Sequence, residues 1–353
     1  MDVEQIYLRL LRRAIGLTNE EVSVPQEQWE AVKQLSRRQG TTTFLTTDKT
    51  SLARAIMRQQ QQLLTLDMLW QALEKAGLHP VILKGFGLAR FYPEPYRRFS
   101  SDVDLWVGKG KYDVVTAAIN SVMNVEWHHE DECVNERHYN FATPQGLIFE
   151  IHPQTIPFIL PEEKSALASV EIPAMVNAEE FIFEGHRLRM PQAEFNFLFI
   201  FMHAWEHFTS SGAGLKHLAD LAVLVNKLPL YTSDEHARTL QLTLSALHLT
   251  EPWNVMGYVV IKAFGLCKDK WPLYKDTRRI RRLGERLYRR IMEEGLTRRI
   301  EDEGRRIKNK WIGKVWTLGD RIRTAMMIAP YSPQYARHYL YSAVYKGIKR
   351  LKK

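Results

Sequence analysis

Asp102 and Asp104 stand one residue apart in the run Asp102-Val103-Asp104-Leu105-Trp106-Val107, and this pairing of charge with apolar neighbours narrows what the chain can build. In a β-strand, residues i and i+2 project from the same face, so both carboxylates point together while Val103 and Leu105 turn into a core. Two like charges held side by side repel unless a cation lies between them. A hard divalent cation takes oxygen ligands, one or two of them carboxylates, with phosphates and water completing its shell. The pattern alone also suits a solvated sheet edge, so its reading depends on what surrounds it.

Two neighbouring stretches favour the metal. Upstream, Val81-Ile82-Leu83 reads as a strand running into Lys84-Gly85-Phe86-Gly87. Glycine there lets backbone N–H groups approach a phosphate, and a following helix N-terminus favours anions. Downstream, Gly146 to His152 reads as a strand with Glu150 in its middle, an unfavourable place for a carboxylate without a partner. A neighbouring strand that set Glu150 beside Asp102 and Asp104 would give three carboxylates to share two cations. His152 falls on the same face, either touching the metal site or a phosphate, or hydrogen-bonding Glu150 into place. Arg97 and Arg98 are surface charges, or one of them grips a triphosphate in the bidentate manner of arginine.

These residues resemble a known family. Leu83-Lys84-Gly85, a short helix ending near Tyr92-Pro93, Arg98 four residues before Asp102, and Asp102-Val103-Asp104-Leu105 look like the nucleotidyltransferase superfamily of DNA polymerase β. Within it the pattern resembles the bacterial group of uncharacterised nucleotidyltransferases and, more distantly, the nucleotidyltransferase toxins of abortive-infection systems. The resemblance covers roughly residues 40–225, with specific motifs at 82–107 and 147–152.

The resemblance implies an enzyme that moves an NMP group from an NTP to an acceptor hydroxyl and releases pyrophosphate. It implies Asp102, Asp104 and Glu150 as catalytic carboxylates and ligands of Mg²⁺ or Mn²⁺. It further implies Gly85 in a phosphate-binding turn, with Lys84, Arg98 and Lys216 against nucleotide phosphates. Two features depart from the pattern. Phe86 stands where the superfamily has serine or glycine, leaving Lys84 or Arg98 to replace a serine contact, and the span from Gly85 to Asp102 is longer than usual. A non-catalytic nucleotide- or RNA-binding module with a degenerate site is the alternative these departures keep open. Protein hydroxyls, RNA 3′ ends, sugars and antibiotics are all served by this superfamily, so no acceptor follows.

The 353 residues suffice for two or three domains. Residues 1–78 read as a helical lobe: from Leu52 onward, Ile56, Leu63, Leu66, Leu69 and Leu73 recur at helical spacing until Gly77 and Pro80 stop the helix. The Gln59–Gln62 run reads as a solvated face of that helix. Residues 79–190 read as the catalytic core, with a helix over Lys109–Val122 and hairpins turned at Pro144-Gln145-Gly146 and Glu184-Gly185. Residues 191–353 read as a C-terminal helical region in which His203 and His207, four apart on one face, suit a core or domain-interface role more than metal ligation, while Lys216 and Asp220 have the spacing of a surface ion pair. The expected fold is α+β, a small mixed-sheet core flanked by N-terminal and C-terminal helical regions.

Cys133 and Cys267 lie far apart and read as ordinary buried thiols. The first residues lack the apolar run of a signal peptide, and no stretch is long and apolar enough to span a bilayer, which makes the cytoplasm the default compartment.

Charge is uneven. From Leu266 onward 25 Lys/Arg face 9 Asp/Glu, a net +16 against +9 overall, which leaves −7 for the first 265 residues. Clusters such as Arg278-Arg279-Ile280-Arg281-Arg282, interleaved with Trp311, Trp316, Tyr331, Tyr335, Tyr339, Tyr341 and Tyr345, leave three readings open. The region binds RNA, lies on an anionic membrane at the inner surface, or is a solvated helical face.

Overall fold

The computed structural model describes residues 2–128, 138–158, 160–210, 212–296 and 310–351, with 310–318 and 343–351 described through the backbone alone. Two compact units divide the chain: Met1–Leu45, Ile159–Leu167 and Ile200–Lys353 in one, Thr46–Phe158 and Ala168–Phe199 in the other. Both are discontinuous in sequence.

The second unit is built on a five-stranded sheet of order β1-β2-β5-β4-β3, from β1 (Val81–Leu83), β2 (Asp102–Trp106), β3 (Glu126–His128), β4 (Tyr139–Ala142) and β5 (Ile148–His152). β2 and β5 pair in parallel and the other neighbours antiparallel, so the sheet is mixed. Alternation along the strands buries Val103, Leu105, Phe141, Phe149 and Ile151 on one face. Their core is shared with Leu63, Leu66, Leu69, Trp70 and Leu73 of α4 (Lys49–Lys75) and with Val115 and Ile119 of α6 (Tyr112–Asn120). Each such side chain contributes about 1.5–3 kcal/mol by leaving water, which is why this long helix groups with the sheet. Between β1 and β2 lies the short helix α5 (Gly85–Ala89). The hairpin β6 (Glu179–Phe183) and β7 (His186–Met190) forms a separate two-stranded sheet turned at Glu184-Gly185, both with positive φ as a type I′ turn requires.

The Gln59–Gln62 run is the solvated face expected of it only at Gln60 and Gln61, which are exposed. Gln62 is buried, on the same stripe as Leu66, Leu69 and Leu73, and its amide donates to the Ser100 carbonyl at 3.1 Å. Two elements carry weaker local signals: β3, and α7 (Pro161–Val176), whose internal Pro173 interrupts the helical pattern. On α7, Glu171 is buried and accepts bonds from Trp106 Nε1 (3.0 Å) and from the Thr155 N–H and hydroxyl (3.1 Å each). Burial pushes this carboxyl above its ordinary value of 4.5 against the pull of those donors. Because the folded value exceeds the unfolded one, Glu171 contributes stability below the ordinary glutamate range and loses it as pH rises through the raised value. Glu171→Gln should therefore gain Tm relative to wild type as pH climbs above about 4.5, read from parallel thermal melts. A Tm difference that is flat with pH would refute the assignment.

The first unit is helical: α1 (Val3–Ala14), α2 (Trp29–Arg38), α3 (Thr42–Leu45), most of α8 (Ala193–Ser210), α9 (Leu215–Lys227), α10 (Asp234–Ala246), α11 (Thr250–Phe264), α12 (Arg278–Glu294), α13 (Lys310–Ile328) and α14 (Pro333–Leu351). Buried Gln39 staples it, donating to the Ile291 carbonyl at 2.8 Å and accepting from Leu215 N–H at 3.0 Å. Gly214 permits this approach, since a Cβ there would stand 2.6 Å from the Gln39 carbonyl oxygen. His203 and His207 meet at 3.1 Å between their Nε2 atoms, with the His217 ring stacked on His207.

Cys267 is exposed, because α11 ends at Phe264 and the chain leaves the core there; Cys133 lies outside the described residues. Two aromatics of the basic region also pack inward: Tyr331 is buried against Trp205 and Phe208, and half-buried Tyr335 meets Trp205 edge-on. Among the described residues no helix is long and apolar enough to cross a membrane.

Candidate active site

The parallel register sets Asp104 opposite Glu150 and Trp106 opposite His152. Asp102, Asp104, Glu150 and His152 consequently share the face opposite the buried valines, leucines and phenylalanines. Asp102, Asp104 and Glu150 offer carboxylate oxygens all within 4.8 Å of one another.

Asp104 is the buried member, 1% exposed. Its Oδ1 receives both Lys84 Nζ and His152 Nε2 at 3.0 Å, while Oδ2 is buried with no hydrogen-bond partner among the described residues. Burial raises the Asp104 pKa, but the Lys84 charge and the His152 hydrogen bond outweigh it and hold the group below its ordinary value. Burial lowers Lys84, yet the charges of Asp104, Asp102 and Glu150 carry it above the usual lysine value. His152 is raised in the same manner, its burial outweighed by Asp104 and by Glu150 at 3.6 Å. Burial opposes ionisation of Glu150 too, but His152, His138 at 3.9 Å and Lys84 bring it down to about 2. Asp102, half-buried at the strand's start, accepts from the Ser100 hydroxyl at 3.1 Å and the Ser101 hydroxyl at 3.5 Å.

The turn before this face is strained. Lys84 has φ +56° and ψ −136°, a region almost reserved for glycine and costing about 1–3 kcal/mol. The reversal carries its ammonium onto Asp104. Gly85 follows at φ +44°, and a Cβ there would meet nothing within 4 Å, so the backbone lies open on that side. The helix after it has only five residues, all buried, and Phe86 packs on Phe183 with ring centres 5.4 Å apart. Phe86 thus serves the core in the place where the superfamily has a phosphate contact.

Arg98 is 6% exposed and lines a small pocket with Gly85, Gln59, Gln62, Ser100 and Asp102. Arg97 is structural: it pairs with Glu94 and donates to the Thr46 carbonyl at 2.9 Å. Lys216 lies on α9 in the other unit, its N–H donating to the Gln39 carbonyl at 3.2 Å. Gln59, Gln62, Ser100 and His138 belong to the face or pocket without having been read there from sequence. For Gln62 a signal existed, its place on the apolar stripe of α4.

The donor set fits Mg²⁺ or Mn²⁺. It is all oxygen, three carboxylates converge, and the buried Oδ2 of Asp104 has no protein partner to give up.

One solved structure, an antigenic nucleotidyltransferase-like protein from Paracoccidioides brasiliensis, matches over 60% of this chain and 97% of its own, at 14% identity and a TM-score of 0.35. No curated protein is significantly similar. Residues 26–251, which contain the sheet, the acidic face and the pocket, match the family described as uncharacterised nucleotidyltransferase, and the chain belongs to that family.

Proposed function

We propose that this chain is a metal-dependent nucleotidyltransferase that moves an NMP group from an NTP to an acceptor hydroxyl. The observation carrying the reading is the register that sets Asp104 against Glu150 on one sheet face beside Asp102, with Asp104 Oδ2 buried and unpartnered. Asp102, Asp104 and Glu150 would hold Mg²⁺ or Mn²⁺. When bound, such a cation neutralises phosphate charge and acidifies an acceptor hydroxyl. The serine hydroxyls aim Asp102, and Lys84 with His152 fix Asp104. Glu150, kept ionised by His152, His138 and Lys84, completes the ligand set or takes the acceptor proton. Arg98 and the open backbone at Gly85 receive the triphosphate, with Lys84 as a supporting charge beside them. The acceptor oxygen forms its bond to the α-phosphorus as the α–β bridging bond breaks, pyrophosphate leaving with the electron pair and the hydroxyl proton passing to solvent.

A second reading rests on Lys84. Its ammonium already lies on Asp104, as expected of a site that binds nucleotide without transferring it. For a partner we favour RNA, because Arg278, Arg282 and Arg286 form an exposed basic row on α12. Arg279 and Arg281 are taken up by Glu251 and Asp276.

Wild type and Asp102→Ala/Asp104→Ala protein are incubated with Mg²⁺ or Mn²⁺ and each α-³²P-labelled NTP, with and without cell RNA and total protein. Label passing to an acceptor, with pyrophosphate release, only in wild type supports the transferase and names the acceptor class. Metal-dependent nucleotide binding without pyrophosphate favours the second reading. Neither binding nor transfer by folded protein overturns both.

A further inference from the structure

In the helical unit, Glu163, His248 and His338 converge from three elements: the first turn of α7, the turn between α10 and α11, and α14. One ligand atom from each lies within 4.8 Å of the others. Glu163 is 3% exposed, its Oε1 stands 2.9 Å from His338 Nδ1, and the His248 and His338 rings meet edge-on with centres 4.8 Å apart. Two imidazoles and one carboxylate are a set that Zn²⁺ takes at ~2.0–2.2 Å, with a fourth position left for water.

The backbone at His248 points the same way. Helix α10 ends in a Schellman turn, with Leu249 N–H bonded to the Leu244 carbonyl at 2.8 Å and His248 N–H to the Ser245 carbonyl at 3.1 Å. His248 occupies the left-handed position of that turn, at φ +57°, which helix ends give by preference to glycine. The Ser332 hydroxyl holds it there, donating to its carbonyl at 2.9 Å. A histidine kept in a glycine conformation is strain retained for its side chain.

We propose that Glu163, His248 and His338 form a Zn²⁺ site separate from the acidic sheet face. The ion takes the place of the proton between Glu163 and His338 and ties α14 to α7 and to the end of α10. None of the three residues belongs to the transferase reading, so this proposal stands or falls apart from it.

The test uses the full chain stripped by chelator, titrated with Zn²⁺ and separately with Co²⁺, whose visible bands report a tetrahedral site. One Zn²⁺ per chain beyond any held at the acidic sheet face, and a raised Tm, are expected, both surviving in an Asp102→Asn/Asp104→Asn background. His248→Gly suits the left-handed backbone, so it should keep the circular dichroism spectrum and the metal-free Tm. Its Zn²⁺ binding should weaken by about 100-fold or more, since losing even an outer-shell partner costs roughly 10–100-fold. His338→Ala should weaken binding likewise. A wild type that takes up no ion overturns the site, as do unchanged affinity and Co²⁺ spectra in both variants, or binding lost in the Asp-to-Asn background.

Discussion

Asp104→Asn is expected to lower nucleotidyl transfer by about 10³-fold or more while the protein stays folded. Among the described residues this carboxylate is the one ligand of the acidic face with a buried oxygen that no other group engages. Losing its charge forfeits several kcal/mol of stabilisation at the phosphoryl group, and each 1.36 kcal/mol is tenfold in rate. The asparagine carbonyl still accepts from Lys84 and His152, so packing survives. Asp104→Ala is the harsher change, because it leaves the Lys84 ammonium buried without its carboxylate, at a cost of about 3–5 kcal/mol. Pyrophosphate release gives the activity and thermal melts the stability. An asparagine variant that keeps wild-type turnover would end the metal-ligand role of Asp104.

Lys84→Met should be among the most destabilising single changes in the sheet unit. In metal-free buffer it strands Asp104 beside Asp102 and Glu150 without the cation that offsets them, again about 3–5 kcal/mol. Millimolar Mg²⁺ should restore part of that loss, so the Mg²⁺-induced rise in Tm is larger in Lys84→Met than in wild type. Lys84→Gly separates charge from strain: it removes the same ammonium but relaxes the φ +56° backbone, and should melt above Lys84→Met. Equal Mg²⁺ shifts in wild type and Lys84→Met would mean that Lys84 and the divalent ion do not answer to the same carboxylates.

Much of this was legible from residues alone, and the parts that were not share a cause. The Glu184-Gly185 hairpin, α4 up to Gly77, and the strands carrying Asp102, Asp104 and Glu150 all follow from local rules of turn chemistry and periodicity. Gln62 was misread because a polar residue on an apolar stripe takes its meaning from what packs over it, here the Ser100 carbonyl. Tyr331, one of the aromatics interleaved in the basic region, was not recognised as core because nothing local says that Trp205, over a hundred residues earlier, covers it.

By itself the sequence determined that the two aspartates face one way and the apolar residues between them the other, since the period of a strand is a property of the backbone. It determined the family as well, because residues 26–251 suffice to match it. Only the tertiary structure decided that β5 lies parallel against β2 in the register that sets Glu150 across from Asp104. It also decided that Lys84, through a strained turn, reaches Asp104, and that Glu163, His248 and His338 meet. Those contacts join residues far apart in the chain, and which of them form is settled by how whole faces pack, a balance that no short stretch of sequence contains.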